Sequence, residues 1–142
     1  MSSARVPSRK QKELVKTRAR RRCEYCLCPA TVSPFTFQVD HIVPHSKGGK
    51  TELDNLAFSC GCNSFKANKT RARDAKTGKL VPIFHPRWQT WSEHFAWSED
   101  TLKITGQTPT GRATVAALRL NRTELINMRE LLLAVGKHPP TD

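Results

Sequence analysis

Two cysteine pairs, one Asp-His dipeptide and two later asparagines are the residues of this 142-residue chain whose types and spacing could do chemistry. Cys23-Glu24-Tyr25-Cys26 puts two thiols on one tight turn, and Cys60-Gly61-Cys62 puts two more on a second. Zinc takes four soft ligands in a tetrahedron, and two such turns can supply them. Cys28 is a fifth thiol that could replace one of the four. A redox CxxC is the rival reading, but it belongs beside a βαβ pattern, which this chain lacks. Asp40 and His41 are adjacent, and Asn55 and Asn63 follow. Phosphodiester hydrolysis needs water deprotonated near neutral pH, and imidazole is the side chain suited to that. Charge develops on the phosphate and the leaving oxygen, and a hard cation stabilises it. Such a cation takes oxygen ligands, so a carboxylate and a side-chain amide fit Mg²⁺ or Mn²⁺.

These residues need elements to position them. Phe35-Thr36-Phe37-Gln38-Val39 alternates apolar and polar, which predicts a strand ending at Asp40-His41. Neighbours on a strand point to opposite faces, so Asp40 and His41 converge only where the strand bends or ends. Pro44 and the Gly48-Gly49 loop supply such an irregularity. Leu56-Ala57-Phe58 is a second short apolar segment. Cys60 to Cys62 turns the chain, and a polar, basic helix is expected from Asn63 to about Ala75. The local order is therefore strand, loop, short strand, helix.

On the N-terminal side, residues 1–8 read as disordered. A helix is expected from Arg9 to Arg22, with Leu14, Val15 and Ala19 on one narrow face. On the C-terminal side, Leu80 to Phe84 is extended, and Trp88, Trp91, Phe95 and Trp97 are expected to pack. Phe95-Ala96-Trp97 could pair with Leu102-Lys103-Ile104 across Ser98-Glu99-Asp100. Thr110 is expected to cap a helix over 111–120 and Thr123 another over 124–135. Val115, Leu118, Leu125, Met128, Leu132 and Val135 are their apolar positions. Gly136 stops the second, and Pro139-Pro140 ends structure.

The net charge is +12, and its distribution says more than its total. Residues 1–22 carry nine basic side chains and one acidic, and residues 64–79 carry six and one. The stretch between them has a slight acidic excess, with two basic and four acidic. Basic blocks of this kind favour a polyanion, and nucleic acid is the first candidate. A hydrophobic fraction of 37% makes only a modest core, which a metal staple would help. Five cysteines cannot form a fully paired disulfide framework. No secretory signal is visible, and no stretch reaches the roughly 20 apolar residues of a membrane span. The expected setting is cytoplasmic and reducing, where clustered cysteines hold metal.

The ordered combination resembles the HNH endonuclease family, the ββα-metal nucleases. The matching text is Cys23-Glu24-Tyr25-Cys26, Val39-Asp40-His41-Ile42-Val43-Pro44, Gly48-Gly49, Asp54-Asn55-Leu56, then Cys60-Gly61-Cys62-Asn63 and Lys66. The resemblance implies an α+β fold: two antiparallel strands and a helix around one divalent ion. It makes His41 the general base, and Asp40 and Asn63 the ligands of a catalytic Mg²⁺ or Mn²⁺. It makes Asn55 the residue that orders the loop and helps hold the histidine. Lys66 matches a position that could face phosphate. Cys23, Cys26, Cys60 and Cys62 would hold structural zinc, although CxC replaces the family's usual CxxC in the second pair. From Gly78 to Thr114 the chain is similar to an extension in a subset of small stand-alone bacterial HNH proteins. The expected division is a basic arm (1–22), a nuclease core (23–76) and a C-terminal extension of a hairpin and helices packing on the core (77–142).

On this reading DNA is the substrate, held mainly by its phosphate backbone through Arg18, Arg20, Arg21, Arg22, Lys66, Lys69, Arg71 and Arg73. Two other readings share parts of the pattern. A zinc-stapled nucleic-acid-binding module without catalysis needs the cysteines and the charge but not Asp40, His41 and Asn63 together. A scaffold protein would use the aromatic C-terminal part, but it leaves the basic blocks without a role.

Overall fold

A computed structural model describes residues 5–141, so the disorder expected for residues 1–8 falls partly outside the described residues. Helix α1 spans Arg9–Arg18 and begins where the sequence places it. Ser8 Oγ accepts the Gln11 N–H (3.1 Å) and Gln11 Oε1 accepts the Ser8 N–H (2.9 Å), a capping box that satisfies two orphan donors. The helix stops short of the expected Arg22. Arg20 and Arg21 both take φ 56°, and this left-handed pair turns the chain so that Arg22 can bridge to Pro29. Val15 is fully buried and Ala19 half-buried against Leu56 and Phe58, but Leu14 is exposed. Val15 and Ala19 share a face because they are four residues apart; Leu14 lies about 100° off that stripe.

The cysteine turn follows. Cys23 N–H donates to Cys28 O (2.9 Å), and Leu27 at φ 63° closes the loop. Strand β1 is Gln38–His41 and strand β2 is Leu56–Ser59, antiparallel with Gln38 opposite Ser59 and His41 opposite Leu56. The strand expected over 35–39 is thus displaced toward Asp40 and His41. Its partner can pair no further, because after Ser59 the chain turns to bring Cys60 to the other cysteines. Phe35, beyond the pairing, is exposed.

Helix α2 is only Cys62–Lys66, not the expected run to Ala75. Ala67 at φ 51° ends it, and residues 71–73 form strand β3, Arg71–Arg73, paired with β4, Leu80–Pro82. The turn between them is built by the fully buried Asp74. Its carboxylate accepts Lys76 N–H (3.2 Å) and Thr77 Oγ1–H (2.8 Å), and Arg112 donates to it twice, at 2.9 and 3.0 Å. A local helical pattern lost to a buried bidentate ion pair made by a residue 38 positions away.

That pair carries a pH signature. The Arg112 guanidinium holds the Asp74 carboxyl below its ordinary range. A depressed folded pKa gives stability that is present above the unfolded value, about 3.9, and lost as pH falls below it. Asp74→Asn is therefore expected to lower Tm at neutral pH. The gap to the parent should narrow as pH drops below about 4. Parallel melting curves at all pH values would refute this.

Short helix α3, Trp91–His94, leads into a second hairpin: β5, Phe95–Trp97, against β6, Ile104–Gly106. The hairpin is the expected one, but its turn is longer, so the second strand starts at Ile104 rather than Leu102. Helix α4 is Pro109–Ala117 and is capped by Thr108, whose Oγ1 accepts Gly111 N–H at 3.0 Å, not by Thr110. Pro109 at the first helical position explains the earlier start. Helix α5 is Thr123–Ala134, with Arg122 at the cap position and Gly136 at φ 73° just beyond. Leu118, Leu125 and Leu132 are buried as expected, whereas Val135 is exposed. One buried cluster joins Cys23, Tyr25, Cys26, Ile42 and Ala57 to Ile83, Phe84, Phe95, Ile104 and Leu118. Trp91 Nε1 donates to Tyr25 O (2.9 Å), tying the aromatic segment to the cysteine turn. Among the described residues, no helix is long and apolar enough to cross a membrane.

Candidate functional site

Register decides where the chemistry-bearing side chains point. Asp40 stands opposite Ala57 and shares its face with α2, while His41 stands opposite Leu56 on the face covered by α1. Asp40 meets Asn63 at the start of α2, where Asn63 Nδ2 donates to Asp40 Oδ2. The contact turns the amide nitrogen toward the carboxylate; with the amide rotated by half a turn, its oxygen and the carboxylate are hard donors of the kind a divalent cation takes. His41 is at the strand end, half-buried, and its Nε2 is 2.8 Å from Thr51 Oγ1. Burial pushes His41 below the ordinary imidazole range, against the opposing pull of Asp40. Nε2 is tethered, and Nδ1 is the other ring nitrogen.

Asn55 works on the loop rather than on the imidazole. Its Oδ1 accepts Val43 N–H (2.9 Å), and its Nδ2 donates to Val43 O (3.0 Å) and Lys50 O (2.9 Å). These bonds close the loop 43–50 and set Thr51 against His41. Thr51 was not legible in the sequence, since a threonine after Gly-Gly-Lys carries no periodicity and no motif. Gln11 of α1 holds the same residue, donating from Nε2 to Thr51 O at 3.1 Å.

Gly49 has no room for a side chain. A Cβ there would lie 1.8 Å from Val43 O and 2.8 Å from Asn55 Nδ2. Gly49→Ala is expected to push Val43 and Asn55 apart and to destabilise the fold by about 1–3 kcal/mol. Urea denaturation measures this, and an unchanged midpoint would show that the loop accommodates the methyl group.

The four predicted cysteines converge. The sulfurs of Cys23, Cys26, Cys60 and Cys62 all lie within 4.8 Å of one another and all four residues are buried. Cys26 Sγ and Cys62 Sγ are each 3.5 Å from Cys60 Sγ. Cys28 stays outside, with its sulfur 3.9 Å from Pro29 O. The CxC spacing is therefore no obstacle: the second turn delivers both thiols. Hydrogen bonds from Cys23, Cys26 and Cys62 hold Cys60 well below the thiol range, while burial pushes Cys26 above it. Four sulfurs this close cannot all be thiolates unless a cation shares them, and a soft zinc-type ion suits the set. Arg122 donates to Cys62 Sγ (3.4 Å) and Cys60 Sγ (3.3 Å). Burial alone would pull Arg122 down, but the sulfur charge more than offsets that. A guanidinium held there balances an anionic Cys₄ site, and the sequence carried no signal for it.

The basic residues fare differently. Lys66 is 1% exposed, and its Nζ donates to Ile42 O at 2.7 Å. Burial pushes it down to about 8. It supports β1 from inside rather than facing phosphate, because the five-residue helix turns it onto the hairpin. Lys69, Arg71 and Arg73 are exposed, but on a turn and on β3 rather than on a helix. Arg71 and Arg73 are two apart on that strand and so share a face. Arg18 reaches from α1 to the start of β2, donating to Leu53 O (2.8 Å) and Leu56 O (2.7 Å). Arg20, Arg21 and Arg22 lie in the turn after α1.

A model of the HNH endonuclease family matches residues 23–69, the stretch from the first cysteine to just past α2. No curated protein and no solved structure matches the chain.

Proposed function

With an HNH endonuclease domain at residues 23–69 as the premise, we propose that this protein is a metal-dependent endonuclease that hydrolyses phosphodiester bonds of DNA. The observation that carries the proposal is the contact of Asp40 with Asn63, with His41, tethered to Thr51, the next residue along the chain. A bound Mg²⁺ or Mn²⁺ would supply charge stabilisation at the phosphate and the leaving oxygen. Asp40 and Asn63 are the residues that would hold it. In the tautomer where Nε2–H donates to Thr51 Oγ1, the Nδ1 lone pair of His41 takes a proton from water. Asn55 keeps the loop closed, and with it the orientation of the imidazole. Lys66 holds the Ile42 carbonyl and so the strand end that bears the base. Zinc on Cys23, Cys26, Cys60 and Cys62 would fix the two turns that flank the hairpin. Arg18, Arg20, Arg21, Arg22, Lys69, Arg71 and Arg73 supply positive charge for the phosphate backbone, so binding should weaken steeply with salt. Lys66, being buried, is left out of that set.

The test is nicking of supercoiled plasmid by purified protein. Activity is expected with Mg²⁺ or Mn²⁺, to be lost on brief EDTA treatment and to return when the ion is restored. A protein that binds DNA but never cuts it under these conditions would be the zinc-stapled binding module instead.

A further inference from the structure

Trp88 is the aromatic that does not pack. Trp91, Phe95 and Trp97 form a tilted stack with centroids 5.1–5.6 Å apart, as expected of core aromatics. Trp88 is 75% exposed, the most exposed large hydrophobic side chain among the described residues. One face of its ring is nevertheless fixed: it lies flat on His85, centroids 4.0 Å apart and interplanar angle 0°. His85 is itself buried, at 8% exposure. Its Nδ1 accepts the Arg87 N–H (3.2 Å), and its backbone N–H donates to Gln89 Oε1 (2.9 Å). That bond leaves the proton on Nε2, which is buried and faces no acceptor among the described residues.

The loop is bolted to the catalytic hairpin. Arg87 pairs with Glu24, and the other Glu24 oxygen accepts the Phe58 N–H of β2 at 2.8 Å. His85 lies within electrostatic reach of Asp54, beside Asn55, and of Lys66 in α2. Lys66 in turn feels Asp40. Pro86 and Gln89, on either side of Arg87 and Trp88, share a cleft with Arg18, Arg20 and Arg22, so Trp88 stands beside the cationic turn after α1 and, through the Arg87–Glu24–Phe58 link, on the flank of the hairpin. A flat aromatic beside backbone-binding cations is how proteins grip single strands, because every base offers a π-face.

We infer that Trp88, backed by His85, is a stacking face for an unpaired nucleobase, so that the protein prefers DNA with a single-stranded segment. This deepens the nuclease reading and rests on it for the direction of the strand toward Asp40 and His41.

The test is binding, measured without added Mg²⁺ or Mn²⁺ so that cleavage plays no part. Full-length protein is titrated into a fluorescein-labelled thymine oligonucleotide and a labelled duplex of equal length, following the anisotropy of the label. Trp88→Leu keeps an apolar side chain and removes the π-face. An exposed position tolerates this change, and unaltered Tm and zinc content verify it. The ratio of single-strand to duplex affinity is expected to fall on the order of 5- to 100-fold in Trp88→Leu. An unchanged ratio overturns the inference. So does loss of a self-associated species in Trp88→Leu, seen by sedimentation, because Trp88 would then be a protein contact. The two readings separate cleanly. A Trp88-dependent preference for the single strand in a protein that never nicks plasmid overturns the nuclease and keeps the stacking face. Nicking with no dependence of binding on Trp88 does the reverse.

Discussion

Replacing His41 by alanine is expected to lower plasmid nicking by roughly 10²–10⁴-fold, the usual contribution of a positioned general base. DNA binding should survive, because the cationic residues lie elsewhere: on the turn after α1, on β3 and on the turn before it. The fold should survive as well. The imidazole is only half-buried, and β1 is held by its four-residue register with β2 and by the Lys66 contact to Ile42 O. What is removed is one basic nitrogen in a fixed place. Quantified gel conversion of supercoiled to open-circular plasmid, with binding measured in parallel, checks both halves. Equal nicking by parent and variant would remove His41 from the chemistry. It would leave the Asp40–Asn63 contact needing another explanation.

The second large effect concerns the cysteines. Binding of structural zinc by small domains is worth on the order of 10–16 kcal/mol in apparent terms, which equals or exceeds the whole stability of an ordinary domain. Stripping the ion, or Cys60→Ser, is therefore expected to unfold the region around the two turns rather than to trim its stability. The geometry supports so strong a coupling. Cys23, Cys26, Cys60 and Cys62 sit within the same buried cluster as Ala57 of β2 and Ile42, which directly follows β1. Cys28→Ser is expected to retain one zinc per chain, because its sulfur lies outside the cluster. Metal analysis with thiol titration on parent, Cys60→Ser and Cys28→Ser decides this. Full metal content in Cys60→Ser would break the four-cysteine assignment. The same logic constrains the nicking assay: chelation must be brief enough to remove the catalytic ion and leave the buried one.

Much of the site could be read from the chain because its parts are short-range. The two cysteine pairs are each confined to one turn, so spacing alone brings their thiols together. Asp40 and His41 are neighbours. Alternation over residues 35–39 and the apolar run Leu56-Ala57-Phe58 placed both strands of the first hairpin to within three residues. These features depend on local geometry, which a sequence carries directly.

Tertiary structure decided the rest. The helix expected from Asn63 to Ala75 has a favourable local pattern, yet it ends at Lys66, because Arg112 captures Asp74 and the segment pairs with Leu80–Pro82 instead. That break turns Lys66 inward and carries Arg71 and Arg73 onto a strand. Thr51 reaches His41 only because Asn55 folds the loop between them, and Arg122 meets Cys60 and Cys62 from 62 and 60 residues away. The sequence by itself determined which side chains can bind metal and move a proton. Which of them face one another was settled by strand register and by contacts between distant residues, since those depend on where other segments pack and not on the local period of the chain.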